Sequence, residues 1–182
     1  MKKITLSFLI LVAFCYNSSA QAWFTKNGRI TFFSSTPMED IKADNNQVIS
    51  VINTTTGEIQ FSLLNNAFHF KKALMEEHFN ADYIESAKYP KSTFKGTISN
   101  PGAVNFTSDG AYQVTVSGTL TIHGVTRTIS VPGTITVSGG NVSATSTFKI
   151  KPKDYNISIP ATVRNNIAES VEVTISCRYE KK

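Results

Sequence analysis

Strict alternation of apolar and polar side chains is the feature that most limits what this chain can fold into. Alternation with a period of two residues, rich in Val, Ile, Thr and Phe, is typical of β-strands with one apolar face. The longest example places apolar or small residues at every second position, at Tyr112, Val114, Val116, Gly118, Leu120 and Ile122. Similar runs occupy residues 57–64, 125–137, 142–150 and 171–179, and shorter ones occupy 29–34, 47–53 and 92–99. The sequence therefore predicts an all-β fold of about eight strands.

Tight-turn signals separate these runs. They are Asn27-Gly28, Asp109-Gly110, His123-Gly124 and Gly139-Gly140-Asn141. Such dipeptides favour hairpin turns, and strands joined by hairpins are antiparallel neighbours. Long consecutive strands favour a closed barrel over a sandwich, because closure leaves no exposed edge. We therefore predict an antiparallel, eight-stranded β-barrel, which is wide enough to hold one slender ligand.

One segment departs from the strand pattern. Residues 71–80 read KKALMEEHFN, in which Ala, Leu, Met and Glu favour a helix. In a helix, Leu74, Met75, His78 and Phe79 would share a face. A second short helical turn is expected around residues 81–87, ending before Pro90. We expect this helical insertion to lie across an open end of the barrel.

The first twenty residues predict a secretory signal peptide rather than part of the fold. Lys2 and Lys3 precede an apolar run at residues 4–16, and Ser18-Ser19-Ala20 supplies the small residues of a cleavage site. Cleavage is expected after Ala20, with Ala22 as the alternative. The barrel domain then comprises residues 21–182, and a periplasmic or secreted bacterial location follows.

Removing the signal peptide changes the composition that matters. Two of the 18 basic residues are lost while 13 acidic residues remain, so the formal charge falls from +5 to +3. Cys177 becomes the only cysteine, so no internal disulfide is expected. Later apolar segments are too short to span a membrane. The remaining basic residues are scattered, which argues against a nucleic-acid-binding surface.

No catalytic or metal-binding motif is present in the sequence. His69 and His78 are nine residues apart, and we interpret them as hydrogen-bonded structural residues. Two alternatives remain open for this pair, a lipid-acting enzyme and a weak metal site. His123 is interpreted as a hairpin-turn residue beside Gly124. We predict no catalytic residues, no metal and no cofactor.

Several local motifs, in order, resemble the YceI-like family. The most specific is the segment Leu120-Thr121-Ile122-His123-Gly124-Val125-Thr126. The others are Met75-x-x-His78-Phe79-Asn80, Lys88-Tyr89-Pro90, Phe94-x-Gly96, Gly110-x-Tyr112, Phe148-x-Ile150 and Asp154-Tyr155. The resemblance covers residues 28–179. It implies a lipocalin-like barrel that is exported from the cytoplasm and encloses a polyisoprenoid or fatty-acid-like lipid, without catalytic residues.

The resemblance and the alternation together predict a carrier whose barrel wall contacts the apolar ligand. We assign the lining to Phe61, Phe68, Phe70, Met75, Phe79, Phe94, Val116, Ile122, Phe148 and Ile150, and the polar head group to the vicinity of His78 or Tyr155. A one-residue error in register would turn a whole strand outward. The alternative is a structural or stress-related envelope protein with a filled barrel and no ligand. A homodimer is compatible with either interpretation.

Overall fold

The structure, a computed structural model, describes residues 22–181. The predicted signal peptide lies outside these residues. The strands are β1 (Ala22–Ser35), β2 (Asp40–Asn53), β3 (Glu58–Leu64), β4 (His69–Phe70), β5 (Lys91–Ile98), β6 (Gly110–Ile122), β7 (Val125–Ser138), β8 (Asn141–Ile150) and β9 (Val171–Lys181). The α-helix within the described residues, α1, spans Ala73–His78.

Eight of these strands form a closed antiparallel barrel. The hydrogen-bonded order is β1-β9-β8-β7-β6-β5-β3-β2, and pairing of β1 with β2 closes the ring. The two-residue strand β4 pairs only with β2, where Phe70 lies opposite Ala43. The prediction of an eight-stranded, lipocalin-like antiparallel barrel is confirmed.

The strand registers define two different ends of the barrel. At one end, which we call the mouth, the strand ends are joined by the turn 36–39, the insertion 65–90, the hairpin turn 123–124 and the strap 151–170. At the other end, which we call the floor, a packed cluster includes Trp23, Ile52, Ile98, Val104, Val137, Val142, Cys177 and Tyr179. The two longest connections, the insertion and the strap, therefore lie at the mouth, and buried side chains fill the floor.

Two of the four predicted glycine-containing turns form tight hairpins. His123 and Gly124 have φ values of 50° and 72°, as a two-residue hairpin between β6 and β7 requires. Gly139 and Gly140 likewise form the turn between β7 and β8. Both of these predictions are confirmed.

Two other turn predictions are wrong. Gly28 lies inside β1, flanked by register shifts, and a Cβ there would lie 2.6 Å from Cys177 Sγ. This glycine therefore permits close packing at a strand irregularity rather than a turn. Asp109-Gly110 ends the longer loop 99–109 instead of forming a tight hairpin.

Strands β1 and β2 are longer than their apolar runs indicate, because polar residues interrupt the alternation. Asn45 is fully buried in β2, where its side-chain amide donates a hydrogen bond to the Leu64 carbonyl oxygen at 2.9 Å. Its own side-chain oxygen accepts a hydrogen bond from the Gln47 backbone N–H. A buried polar residue that is satisfied in this way keeps the strand intact while hiding its pattern.

Candidate binding cavity

The barrel encloses a cavity of about 380 Å³ with contributions from all eight strands. The inward faces are those that the alternation predicts. On β3, for example, Ile59, Phe61 and Leu63 line the cavity, while Glu58 and Gln60, on either side of Ile59, are exposed. A volume of this size falls in the range of small-ligand sites.

All ten side chains that the sequence assigned to the lining border this cavity. They are Phe61, Phe68, Phe70, Met75, Phe79, Phe94, Val116, Ile122, Phe148 and Ile150. The structure thus places these side chains around the cavity, and their contact with a ligand stays a prediction. Leu74, which was expected to share a helix face with Met75, instead points away, with 61% of its surface exposed.

The two head-group candidates lie in different surroundings. His78, at the end of α1, is exposed and borders the cavity. Tyr155 is only 2% exposed and lies outside the lining. Burial raises the pKa of the Tyr155 hydroxyl. Of the pair, His78 is therefore the side chain that a ligand at the mouth can reach.

An aromatic cluster attaches the insertion to the barrel wall. The Phe79 ring centroid lies 5.1 Å from that of Phe70, 5.5 Å from that of Phe32 and 5.6 Å from that of Phe68. The insertion continues past α1 into a π-helical turn, Phe79–Tyr83, instead of the second separate helical turn that the sequence predicts. Phe32 was missing from the predicted lining, although it alternates with Ile30 in the run 29–34.

The strap supplies a part of the lining that the sequence did not predict. Its apolar side chains Pro152, Ile157, Ile159, Val163 and Ile167 border the cavity. The available signal was a 20-residue connection with no strand pattern, since long connections inside a domain are often functional. The insertion and the strap thus cover the mouth from two sides.

Glu39 joins three of the segments at the mouth. Its Oε1 lies 2.9 Å from Lys72 Nζ in the insertion, and its Oε2 accepts a hydrogen bond from Asn166 Nδ2 in the strap at 3.2 Å. Hydrogen bonds from Lys72 and Asn166 lower the pKa of Glu39 below its ordinary value. The Glu39 carboxylate therefore ties the turn 36–39 to the insertion and to the strap.

A second link at the mouth is centred on His123. Its Nε2 lies 2.6 Å from Glu85 Oε2 in the insertion, and its Nδ1 donates to the Tyr155 carbonyl oxygen in the strap at 3.1 Å. The Tyr89 ring packs edge-on against the imidazole, with centroids 4.4 Å apart. His123 therefore forms the hairpin turn and also connects both covering segments.

The lining offers little for catalysis or metal binding. Among the described residues there is no group of three or more His, Cys, Asp and Glu side chains that could hold a metal ion. His69 is exposed, and its Nδ1 lies 3.5 Å from Glu76 Oε2. At the floor, burial raises the pKa of the Cys177 thiol to about 11.

No helix within residues 22–181 has the length and apolar character needed to cross a membrane.

The comparisons with known proteins agree with this fold. The model of the YceI-like domain matches residues 14–179. A polyisoprenoid binding domain from Saccharophagus degradans, implicated in plant cell wall breakdown, superposes with a TM-score of 0.76 at 20% identity, covering 90% of this chain and 99% of that one. BcnA from Burkholderia cenocepacia gives 0.70 at 17% identity, covering 84% and 96%. The Campylobacter jejuni YceI protein gives 0.54 at 16% identity with full coverage of both chains.

No curated protein sequence matches this chain significantly.

Proposed function

The chain belongs to the YceI-like family, and from that premise we propose that it is a binding or carrier protein for a long-chain apolar ligand. The observation that carries this proposal is the cavity of about 380 Å³, enclosed by apolar side chains from every barrel strand and from both mouth segments. A cavity of this composition is a favourable environment for a hydrocarbon chain.

Burial of the chain would supply the affinity. Each methylene transferred from water into the lining contributes about 0.8 kcal/mol. Ordering the chain and restricting its motion oppose binding, and only the surplus appears as affinity. A ligand with a long unbranched or isoprenoid tail therefore has the advantage over a small apolar molecule.

We propose a polyisoprenoid or a fatty-acid-like lipid as the ligand class. The Saccharophagus degradans relative is described as a polyisoprenoid binding domain, which supports the first of these. The tail would lie among the phenylalanines and aliphatic side chains of the barrel. The head group would remain at the mouth near His78, the exposed polar side chain of α1 that borders the cavity.

We also propose that the protein works in the periplasm or outside the cell. The support is the composition of residues 1–20, with two lysines, an apolar run and a small-residue cleavage site. Amino-terminal sequencing of the protein recovered from its producing cells tests this, with a first residue of Gln21 or Trp23 expected. A chain that retains Met1 contradicts export with cleavage.

The carrier proposal is tested by organic extraction of the purified protein followed by mass spectrometry. The stripped protein is then titrated with a polyisoprenoid quinone and with a fluorescent fatty acid. Val116→Trp places a large side chain inside the cavity and should reduce affinity at least tenfold, whereas Thr115→Trp on the exposed side of the same strand should not. Circular dichroism of both variants controls for misfolding, since overpacking a cavity wall also strains it.

A protein that is recovered empty and binds neither probe contradicts the proposal. That result would favour the structural alternative without a ligand.

A further inference from the structure

Two exposed apolar side chains stand at the mouth of the barrel. Met38 is 70% exposed and Leu74 is 61% exposed, the highest values among the large apolar residues of the described chain. Met38 lies in the turn 36–39, and Leu74 lies in the first turn of α1. Most of the surface of each residue is exposed, so both are available to a partner.

The Glu39 links join the segments that carry these side chains at the rim of the mouth. Glu39 follows Met38 directly, and its partner Lys72 lies two residues before Leu74. The other Glu39 partner, Asn166, lies two residues after the exposed Arg164 of the strap. We call Met38, Leu74, Lys71 and Arg164 the rim patch.

The cations of the rim patch are not neutralised within the protein. Lys71 and Arg164 are exposed, and neither forms an ion pair in the part of the chain that the structure describes. Exposed carboxylates also occur at this end, at Asp40, Glu77, Asp82, Asp154 and Glu169. The attraction of the patch for an anionic surface is therefore local and moderate, and the apolar side chains must contribute to binding.

We propose that the rim patch docks the protein on a lipid bilayer containing anionic lipids, with the mouth facing the membrane. Exposed apolar side chains beside unpaired Lys and Arg are the combination that binds a membrane interface. The inference rests on the proposed function, because a carrier of an insoluble lipid has to exchange its ligand with a membrane. A mouth that faces the bilayer lets the tail pass between the membrane and the cavity without crossing water.

The size of the patch favours a bilayer over a second copy of the chain. A stable protein interface buries about 800 Å² on each partner. Two apolar side chains interrupted by charges do not supply an apolar core of that size. A bilayer needs no complementary shape, and it accepts single side chains between its head groups.

The test is flotation of the ligand-free protein with vesicles of phosphatidylglycerol and phosphatidylethanolamine, compared with vesicles of phosphatidylcholine. We expect binding to the anionic vesicles that weakens as salt is raised. The double variant Met38→Asp, Leu74→Asp should lower the bound fraction at least tenfold. Val51→Asp is the matched control, since Val51 is also exposed but lies on the outer wall of β2.

Charge is tested separately. The double variant Lys71→Glu, Arg164→Glu should remove the preference for phosphatidylglycerol, whereas Lys95→Glu, on the exposed face of β5, should leave it unchanged. Thermal unfolding of every variant checks that the fold is retained.

Titration of the same variants with the fluorescent fatty acid in vesicle-free solution separates the two proposals. Unchanged ligand affinity together with lost flotation supports docking through the rim patch. Equal flotation of all variants overturns docking and leaves the carrier function standing. Flotation that is sensitive to the rim patch without any ligand binding overturns the carrier function alone. A change from dimer to monomer in the apolar variant, without vesicle binding by the parent protein, would assign the patch to self-association.

Discussion

Burial at the floor raises the pKa of two side chains, Cys177 and Tyr179. Cys177 is 1% exposed and packs against Gly28, and its pKa is raised to about 11 by burial. Its neighbour Tyr179 also has a raised pKa because of burial, and its hydroxyl shares a hydrogen bond with Ser50 at 2.8 Å. The thiol is therefore a packing group rather than a nucleophile.

Cys177 should react slowly with a chromogenic disulfide reagent. The thiolate is the reactive form, and a rise in pKa from 9.0 to about 11 lowers its fraction at pH 8 by about a hundredfold. We expect native protein to react at least that much more slowly than protein unfolded in guanidinium chloride, because burial also blocks access. The measurement is the rate of colour release, made on protein without its signal peptide so that Cys177 is the only thiol. Equal rates in the two states would falsify the assignment.

Glu39 gives the mouth a defined response to acid. Its pKa is lowered in the folded state, so the unfolded chain binds more protons as pH falls. The stabilisation by Glu39 is thus complete above the ordinary carboxylate pKa of 4.5 and is lost as pH falls through the lower folded pKa. Glu39→Gln should lower the melting temperature at pH 7 and have no effect once the pH is below that folded value.

The matched control for this prediction is Glu58→Gln. Glu58 is exposed at the start of β3 and forms no ion pair among the described residues. Its substitution should leave the melting temperature nearly unchanged at both pH values. A Glu39→Gln effect that persists at the lowest pH contradicts the link through the carboxylate.

Among the elements, the strands could be predicted from sequence wherever a hydrophobic interior alone dictates the alternation. On β6, Val114, Val116, Leu120 and Ile122 all face the cavity as expected. On β2, buried Asn45 and the register shifts of β1 obscure the pattern, because those residues are held by specific hydrogen bonds and irregular pairing. Neither the hydrogen bonds of Asn45 nor the irregular pairing of β1 can be read from the alternation of apolar and polar residues.

The insertion and the strap show what local sequence cannot supply. The insertion was predicted as helical, but its orientation depends on Phe79 packing on Phe32 of β1, which is distant in sequence, and on Phe68 and Phe70 from the start of the insertion itself. The strap contains only short 3-10 helical turns, Pro152–Tyr155 and Ala161–Asn166, which are too short to show a periodic pattern of inward side chains. Both are positioned by tertiary contacts at the mouth, so the complete site could not be assigned before the fold was known.

His123 should control how firmly both segments are held. His123→Asn removes the bonds to Glu85 and to the Tyr155 carbonyl, while Asn tolerates the φ of 50° at this turn. We expect faster amide exchange in residues 73–84 and 152–157, with β6 and β7 unchanged. Hydrogen exchange read by mass spectrometry measures this, and Gln60→Ala, on the exposed face of β3, serves as the control. Loosening confined to the hairpin turn itself would contradict a link across the mouth.

At the scale of the whole molecule, the apolar cavity predicts strong stabilisation of the folded state by a bound ligand. A ligand at a concentration one hundred times its Kd stabilises the folded state by about 2.7 kcal/mol. For a domain of this size that corresponds to a rise in melting temperature of roughly 5–10 °C. Differential scanning calorimetry of the stripped and the loaded protein tests this. Val116→Trp should show a smaller rise than Thr115→Trp, and equal rises in both variants would place the ligand outside the barrel.

The packed floor has a consequence for how the protein would discriminate among chains. The barrel cavity is closed at the floor. In the proposed carrier, a ligand tail would enter through the mouth and would be stopped by Ile98 and the side chains packed around it. Carbon atoms of a longer tail would stay outside the cavity and would add nothing to the binding free energy. Across a series of ligands with increasing tail length, affinity should therefore rise with each added methylene or isoprene unit and then level off. The tail length at which it levels off would measure the depth of the barrel cavity.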